Sequence, residues 1–169
     1  MEFRCTTCGE LHALNELAFG AEAPLQWEMI PEEERSGSQL GEEQCVIEGR
    51  LGNGYYLRGR LEIPIRGSGG TFTWGVWCSL SESSFLEIAA HWDDPRRVQM
   101  GPYFGWLSTS LPGYPDTFLL KTNVHQQLPG IRPLVELEPT EHPLAVEQRE
   151  GIAPERLQAL VSSLLHSGS

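Results

Sequence analysis

Residues 55–80, YYLRGRLEIPIRGSGGTFTWGVWCSL, decide the fold. Along 55–65, Tyr55, Leu57, Gly59, Leu61, Ile63 and Ile65 share one side, with Tyr56, Arg58, Arg60, Glu62 and Pro64 on the other. Alternation of period two marks a half-buried strand. Along 71–80, Phe72, Trp74, Val76 and Cys78 likewise oppose Thr73, Gly75, Trp77 and Ser79. Gly67-Ser68-Gly69-Gly70 joins the two runs, so they read as an antiparallel hairpin.

On the N-terminal side, residues 44–48 hold Cys45, Val46 and Ile47 as a short strand, followed by the turn Gly52-Asn53-Gly54. On the C-terminal side, Ser81-Glu82-Ser83-Ser84 caps a helix over 85–92, with Phe85, Ile88, Ala89 and Trp92 at helical spacing. Asp93-Asp94-Pro95 stops it. Strands are expected at 104–109, 117–125 and 132–138, the first two separated by the turn cluster at 111–116. Residues 154–166 put Leu157, Leu160, Val161, Leu164 and Leu165 on one stripe, an amphipathic helix. Residues 22–41 are loop-rich, with a short acidic helix at 30–35 that has Pro31 in its first turn. The order predicts an α+β class: a mostly antiparallel sheet, a mid-chain helix, a C-terminal helix and a small Cys-x2-Cys N-terminal knuckle. A single domain over 1–169 is expected, with the knuckle in 1–20 and the α+β core in 44–166.

Hydrophobic residues make up 40% of the 169 and charged residues 21%, a globular composition rather than a disordered one. Twelve Lys and Arg stand against 23 Asp and Glu, a formal net charge of -11. That field repels a phosphate backbone and an anionic membrane, so neither nucleic acid nor membrane is an expected partner. A basic protein suits it better. Apolar runs such as Phe118-Leu119-Leu120 fall far short of the ~20 residues of a membrane span. No basic-then-apolar leader opens the chain, so a cytoplasmic location is expected. Four cysteines are too sparse for a disulfide framework.

Three groups of residues carry chemistry. Cys5 and Cys8 flank a tight turn that aims two thiolates to one side, half of a zinc tetrahedron. His12, close in sequence, and Cys45, at the first strand of the core, complete an expected structural zinc site. Two alternatives stay open: ordinary thiols, or a redox pair, whose usual strand-to-helix setting is missing here. The second group is aromatic. Trp92, Tyr103, Phe104, Trp106 and Tyr114 lie among Asp93, Asp94, Arg96, Arg97 and Asp116, which describes either a ligand pocket or loop-filling rings. A cleft there would be lined by Tyr103, Trp106, Tyr114 and Asp116, with His125 and His142 at its edge. The third group is Glu136 and Glu138 with Glu141, His142, Glu147 and Glu150, an acid/base set or, more simply, a solvated face. GxSxG, P-loop, GxGxxG and HExxH patterns are absent. The expected function is therefore a non-catalytic protein- or peptide-binding module with a structural zinc knuckle. The alternative is a small hydrolase-like or other enzyme, its cleft formed by residues 103–116 and His125 or His142 as its acid/base.

Longer motifs add a grouping. FRCTTCG (3–9), FGAEAP (19–24), IPEEER (30–35), LEIPI (61–65), WGVWCSLSE (74–82), GPYFGWLSTSLPGYPDT (101–117) and ELEPTEHPLAVEQREGI (136–152) follow in order. Together they resemble a bacterial family catalogued as domain of unknown function 2199. The resemblance implies membership and no activity.

Overall fold

The computed structural model describes residues 2–13 and 19–167, so Met1 and residues 14–18 of the expected knuckle segment lie outside it. The described chain opens with a small antiparallel hairpin, β1 (Glu2–Arg4) and β2 (Leu11–Ala13), whose turn carries both N-terminal cysteines. Next come β3 (Phe19–Gly20), α1 (Leu25–Glu28), β4 (Gln39–Leu40) and β5 (Gln44–Ile47). The acidic segment at 30–35 closes to a single 3-10 turn, Glu32–Glu34.

The alternating stretch folds as its pattern demands. β6 (Gly54–Pro64) and β7 (Thr71–Leu80) pair antiparallel from Tyr55↔Leu80 to Pro64↔Thr71. α2 (Glu82–Ala90) follows, with the Ser81 side chain accepting from the Ser84 N–H at its N-terminus. β8 (Tyr103–Leu107), β9 (Lys121–His125) and β10 (Leu134–Leu137) then run antiparallel in sequence order. α3 (Pro143–Glu150) and α4 (Pro154–His166) complete the fold.

The α+β class holds, but the mostly antiparallel sheet needs correction. The sheet is mixed, and β6, β7, β8, β9 and β10 close into a barrel through a parallel contact at Leu134↔Arg60. Chain direction explains the exception. Five strands joined antiparallel in sequence leave the first and last pointing the same way, so closure between them is parallel. β6 and β7 are long enough to serve two neighbours each besides one another. β6 pairs with β5 over 54–57 and meets β10 at Arg60, while β7 pairs parallel with β3 at Trp74 and Gly75 and joins β8 over 78–80.

Leu57, Leu61, Ile63, Phe72, Trp74, Val76, Leu107, Val124 and Val135 form one buried cluster with Phe85 and Ile88 of α2 and Leu157 and Val161 of α4. Phe3 and Cys5 belong to the same cluster. A second cluster, Cys45, Ile47, Tyr56 and Trp77, gathers Ala21, Trp27 and Ile30 around it. Tyr56 and Trp77, on the second face of their strands, are covered by residues of the 19–47 segment, so both faces of the hairpin are buried there.

Strands this closely joined leave no room for some side chains. A Cβ at Gly105 of β8 would lie 2.5 Å from the Ser79 carbonyl oxygen, whereas at Gly75 it would meet the Gly20 Cα at 3.5 Å, an ordinary contact. Gly105→Ala is therefore expected to cost about 2–3 kcal/mol in denaturant unfolding, and Gly75→Ala less than about 1 kcal/mol. Equal effects would show that β8 yields freely.

Two expectations shift locally. The strand at 117–125 shortens to β9 because the Thr117 hydroxyl is committed to the turn, accepting from the Leu111 N–H at 3.0 Å and donating to the Thr109 carbonyl at 2.8 Å. Glu147 and Glu150 of the acidic group lie in the second half of a helix, α3, which starts at Pro143 under an N-cap from His142.

Candidate functional site

Gly9, at φ +76°, lets the chain after Cys8 turn back, so that the Gly9 N–H reaches the Cys5 carbonyl at 2.9 Å. The hairpin register sets His12 across from Phe3. As a result Cys5 Sγ, Cys8 Sγ and a His12 ring nitrogen all lie within 4.8 Å of one another, and Cys8 Sγ is 3.5 Å from His12 Nε2. Two sulfurs and an imidazole so placed can hold a metal ion. Cys5 is buried while Cys8 is exposed. The Ser162 hydroxyl, helped by the backbone N–H groups of Cys8 and Thr7 and by His166, holds the Cys5 thiol down at about 5 against the opposing effect of desolvation. His166 Nε2 itself lies 3.2 Å from Cys5 Sγ.

The structure does not bring Cys45 to this group. β5 pairs Cys45 with Tyr56, in the second cluster, where burial pushes its thiol up to about 11. Cys78 points into the barrel, as its alternation requires; burial raises it to about 12.

The residues expected to form an aromatic cleft are dispersed. Tyr103 is buried and its hydroxyl donates to Glu87 of α2 at 2.8 Å. Tyr114 packs edge-on to Trp74 and donates to Glu147 at 2.6 Å. The Asp116 carboxylate accepts from the Phe118 N–H, a turn of the loop. His142 caps α3 by accepting from the Leu144 N–H through Nδ1, while its Nε2 donates to the Asp116 carbonyl. Each group has a structural task. Trp106 differs: it stands 40% exposed on the outside of β8, edge-on to the equally exposed Phe104. Arg97, in the same stretch, is buried and donates to four loop carbonyls.

His125 does line a cavity, at the seam where the barrel closes. Beyond Leu134↔Arg60 the parallel ladder would set Glu62 opposite Glu136, two like charges. The strands part there instead, and α3 fills in. Gln148 accepts from the Leu137 N–H and donates to the Val135 carbonyl, both at 2.8 Å. That is the pair of bonds a parallel strand residue would make opposite Glu136. The parting leaves a groove of about 670 Å³ with Pro64, Leu134, Leu137 and Pro139 among its walls and Glu62, Glu136, Arg149 and His125 as its charged or titratable groups. His125 Nε2 lies 3.6 Å from Glu136, too far for a hydrogen bond. A smaller hollow of about 300 Å³, bounded by Trp106, Leu119 and Lys121, adjoins it through Leu137 and Ala145.

Sequence reasoning missed the groove because strand periodicity carries no information on where two strands separate. It missed His166 too, although a histidine ending an amphipathic helix was visible. Among the described residues no helix is long and apolar enough to cross a membrane. Comparison with curated proteins and with solved structures finds no match. Residues 4–152, a span that takes in the knuckle, the barrel and α3, match the family model described as "Uncharacterized protein conserved in bacteria (DUF2199)". The chain belongs to that bacterial family of uncharacterized proteins.

Proposed function

We propose that the domain is a non-catalytic module that binds a protein or peptide along the barrel seam, with a structural zinc ion in its N-terminal knuckle. The groove carries the binding half of this reading. Its volume of about 670 Å³ lies within the range of ligand sites, and a lining that mixes apolar with charged side chains suits a peptide side chain and its neighbours. β10 lends its backbone there to a side chain, Gln148, which an incoming extended segment could displace or extend. The net charge of -11 favours a basic partner. The zinc half rests on the thiolate, thiolate and imidazole within 4.8 Å, a soft donor set that suits zinc over harder cations.

The test is co-purification from the native cell with mass spectrometry, run in parallel on the wild-type chain, Trp106→Ala and Glu136→Arg. Both replaced side chains are exposed, so the fold should survive. A stoichiometric partner should be recovered with the wild type and reduced at least about tenfold by Glu136→Arg. Equal recovery with all three proteins removes the seam from consideration, and turnover of a defined substrate would overturn the non-catalytic reading.

A further inference from the structure

We infer that His166, in the last turn of α4, is the fourth ligand of the metal centre, so that the ion ties the N-terminal hairpin to the C-terminal helix. This rests on the reading of Cys5, Cys8 and His12 as zinc ligands and names the one they lack.

With Zn–S near 2.3 Å and Zn–N near 2.0–2.1 Å, a tetrahedral site has sulfur-to-nitrogen edges of about 3.5 Å. Two such edges are already in place. Cys8 Sγ to His12 Nε2 is 3.5 Å, and Cys5 Sγ to His166 Nε2 is 3.2 Å. The edges share no atom, so together they name two thiolates and two imidazoles, a complete structural zinc set.

A separate contact holds α4 against the knuckle at the right height. The Thr6 N–H donates to Ser162 Oγ at 3.3 Å, from within the Cys-x2-Cys turn. Ser162 and His166 are four residues apart and occupy one face of the helix. Leu157, Leu160 and Val161 seat that helix in the cluster that also contains Phe3 and Cys5. Packing therefore brings the fourth donor to 3.2 Å from Cys5 Sγ before any ion arrives, which lowers the ordering cost of binding, and the ion has only to draw its ring towards Cys8 and His12. An ion joining Cys5 to His166 also closes nearly the whole chain into one loop, restricting the unfolded state more than a site confined to one turn.

The experiment uses the full chain, its His166→Ala and His166→Cys variants, zinc and a chromophoric chelator. Wild type and His166→Cys are expected to hold about one zinc per chain, and His166→Ala to bind about 100-fold more weakly. With cobalt(II) in place of zinc, the intense visible bands of a tetrahedral site should fall in His166→Ala as water enters the fourth position. Zinc should slow amide exchange at residues 162–167 in the wild type. If folded His166→Ala binds zinc as tightly as the wild type, His166 is not a ligand and the three-residue centre stands without it. If the wild-type chain takes up no zinc, both readings fail. Should His166→Ala not fold, wild-type exchange decides: zinc that leaves 162–167 unchanged overturns the assignment.

Discussion

Cys5→Ser protein is expected to lose its zinc and to melt on the order of 10 °C below the wild type. The size follows from mass action. A ligand present at about a thousand times its dissociation constant stabilises the native state by about 4 kcal/mol. In a chain of this length each kcal/mol moves the melting temperature by about 2–4 °C. Serine keeps the small volume at a buried position but is a poor zinc ligand, so loss of metal accounts for the change. The comparison that isolates it is melting in excess chelator, where wild type and Cys5→Ser should come close together. Two further replacements act as controls. Cys78→Ser puts a hydroxyl into the barrel core and should destabilise with zinc retained, because Cys78 is fully buried beside Thr122. Cys45→Ser should also retain zinc, since that thiol belongs to the Tyr56 and Trp77 cluster. Elemental analysis of the four proteins reads the result. A metal-free wild type, with stability unmoved by Cys5→Ser, would leave the knuckle an ordinary turn.

What the sequence could disclose was set by the range of each interaction. The β6–β7 hairpin, α2 and α4 rest on periodicity and capping, which lie within about ten neighbouring residues. Barrel closure rests on Leu134 meeting Arg60, far apart in the chain, and on Gly59 leaving space for Val135. No local pattern encodes that meeting. α3 was missed because PLAVEQRE buries little beyond Leu144 and Ala145, and its most specific residue, Gln148, is polar and works sideways on β10. The ligands proposed for the metal divide the same way. Cys5, Cys8 and His12 share one hairpin and were legible from spacing, whereas His166 is 161 residues from Cys5. The expectation that Cys45 joins the knuckle rests on its place at the start of the first core strand. Alternation leaves open which face of a strand turns inward, and the β5–β6 register turned Cys45 towards Trp77.

Arg97→Ala is the other substitution expected to have a large effect, about 3–5 kcal/mol. Its place among aromatic and charged loop residues fits either a ligand pocket or loop-filling rings, and the partner it takes is the protein's own backbone. Arg97 is 3% exposed, and its guanidinium lies over Trp92, 5.2 Å from the ring centre. Nε donates to Gln127, one terminal nitrogen to Trp92, and the other to both Leu128 and Ile131, at 2.6–3.1 Å. Burial lowers its pKa, with Asp93 opposing that shift. A charge in such surroundings is worth keeping only if its donors are occupied, and four of the five N–H groups are. Alanine removes the charge and leaves four carbonyls to find water in a closed loop. Lysine would do little better, because one ammonium cannot reproduce a planar fork spread over four acceptors. Three of the four carbonyls, those of Gln127, Leu128 and Ile131, belong to the segment that delivers β10 to the seam. Loosening it should therefore speed amide exchange at Leu134–Leu137, including the Leu137 N–H that Gln148 holds, and weaken any partner bound in the groove. Urea unfolding measures the first effect and exchange mass spectrometry the second. An Arg97→Ala protein within about 1 kcal/mol of wild type, with β10 still protected, would mean that the loop holds its shape without the arginine.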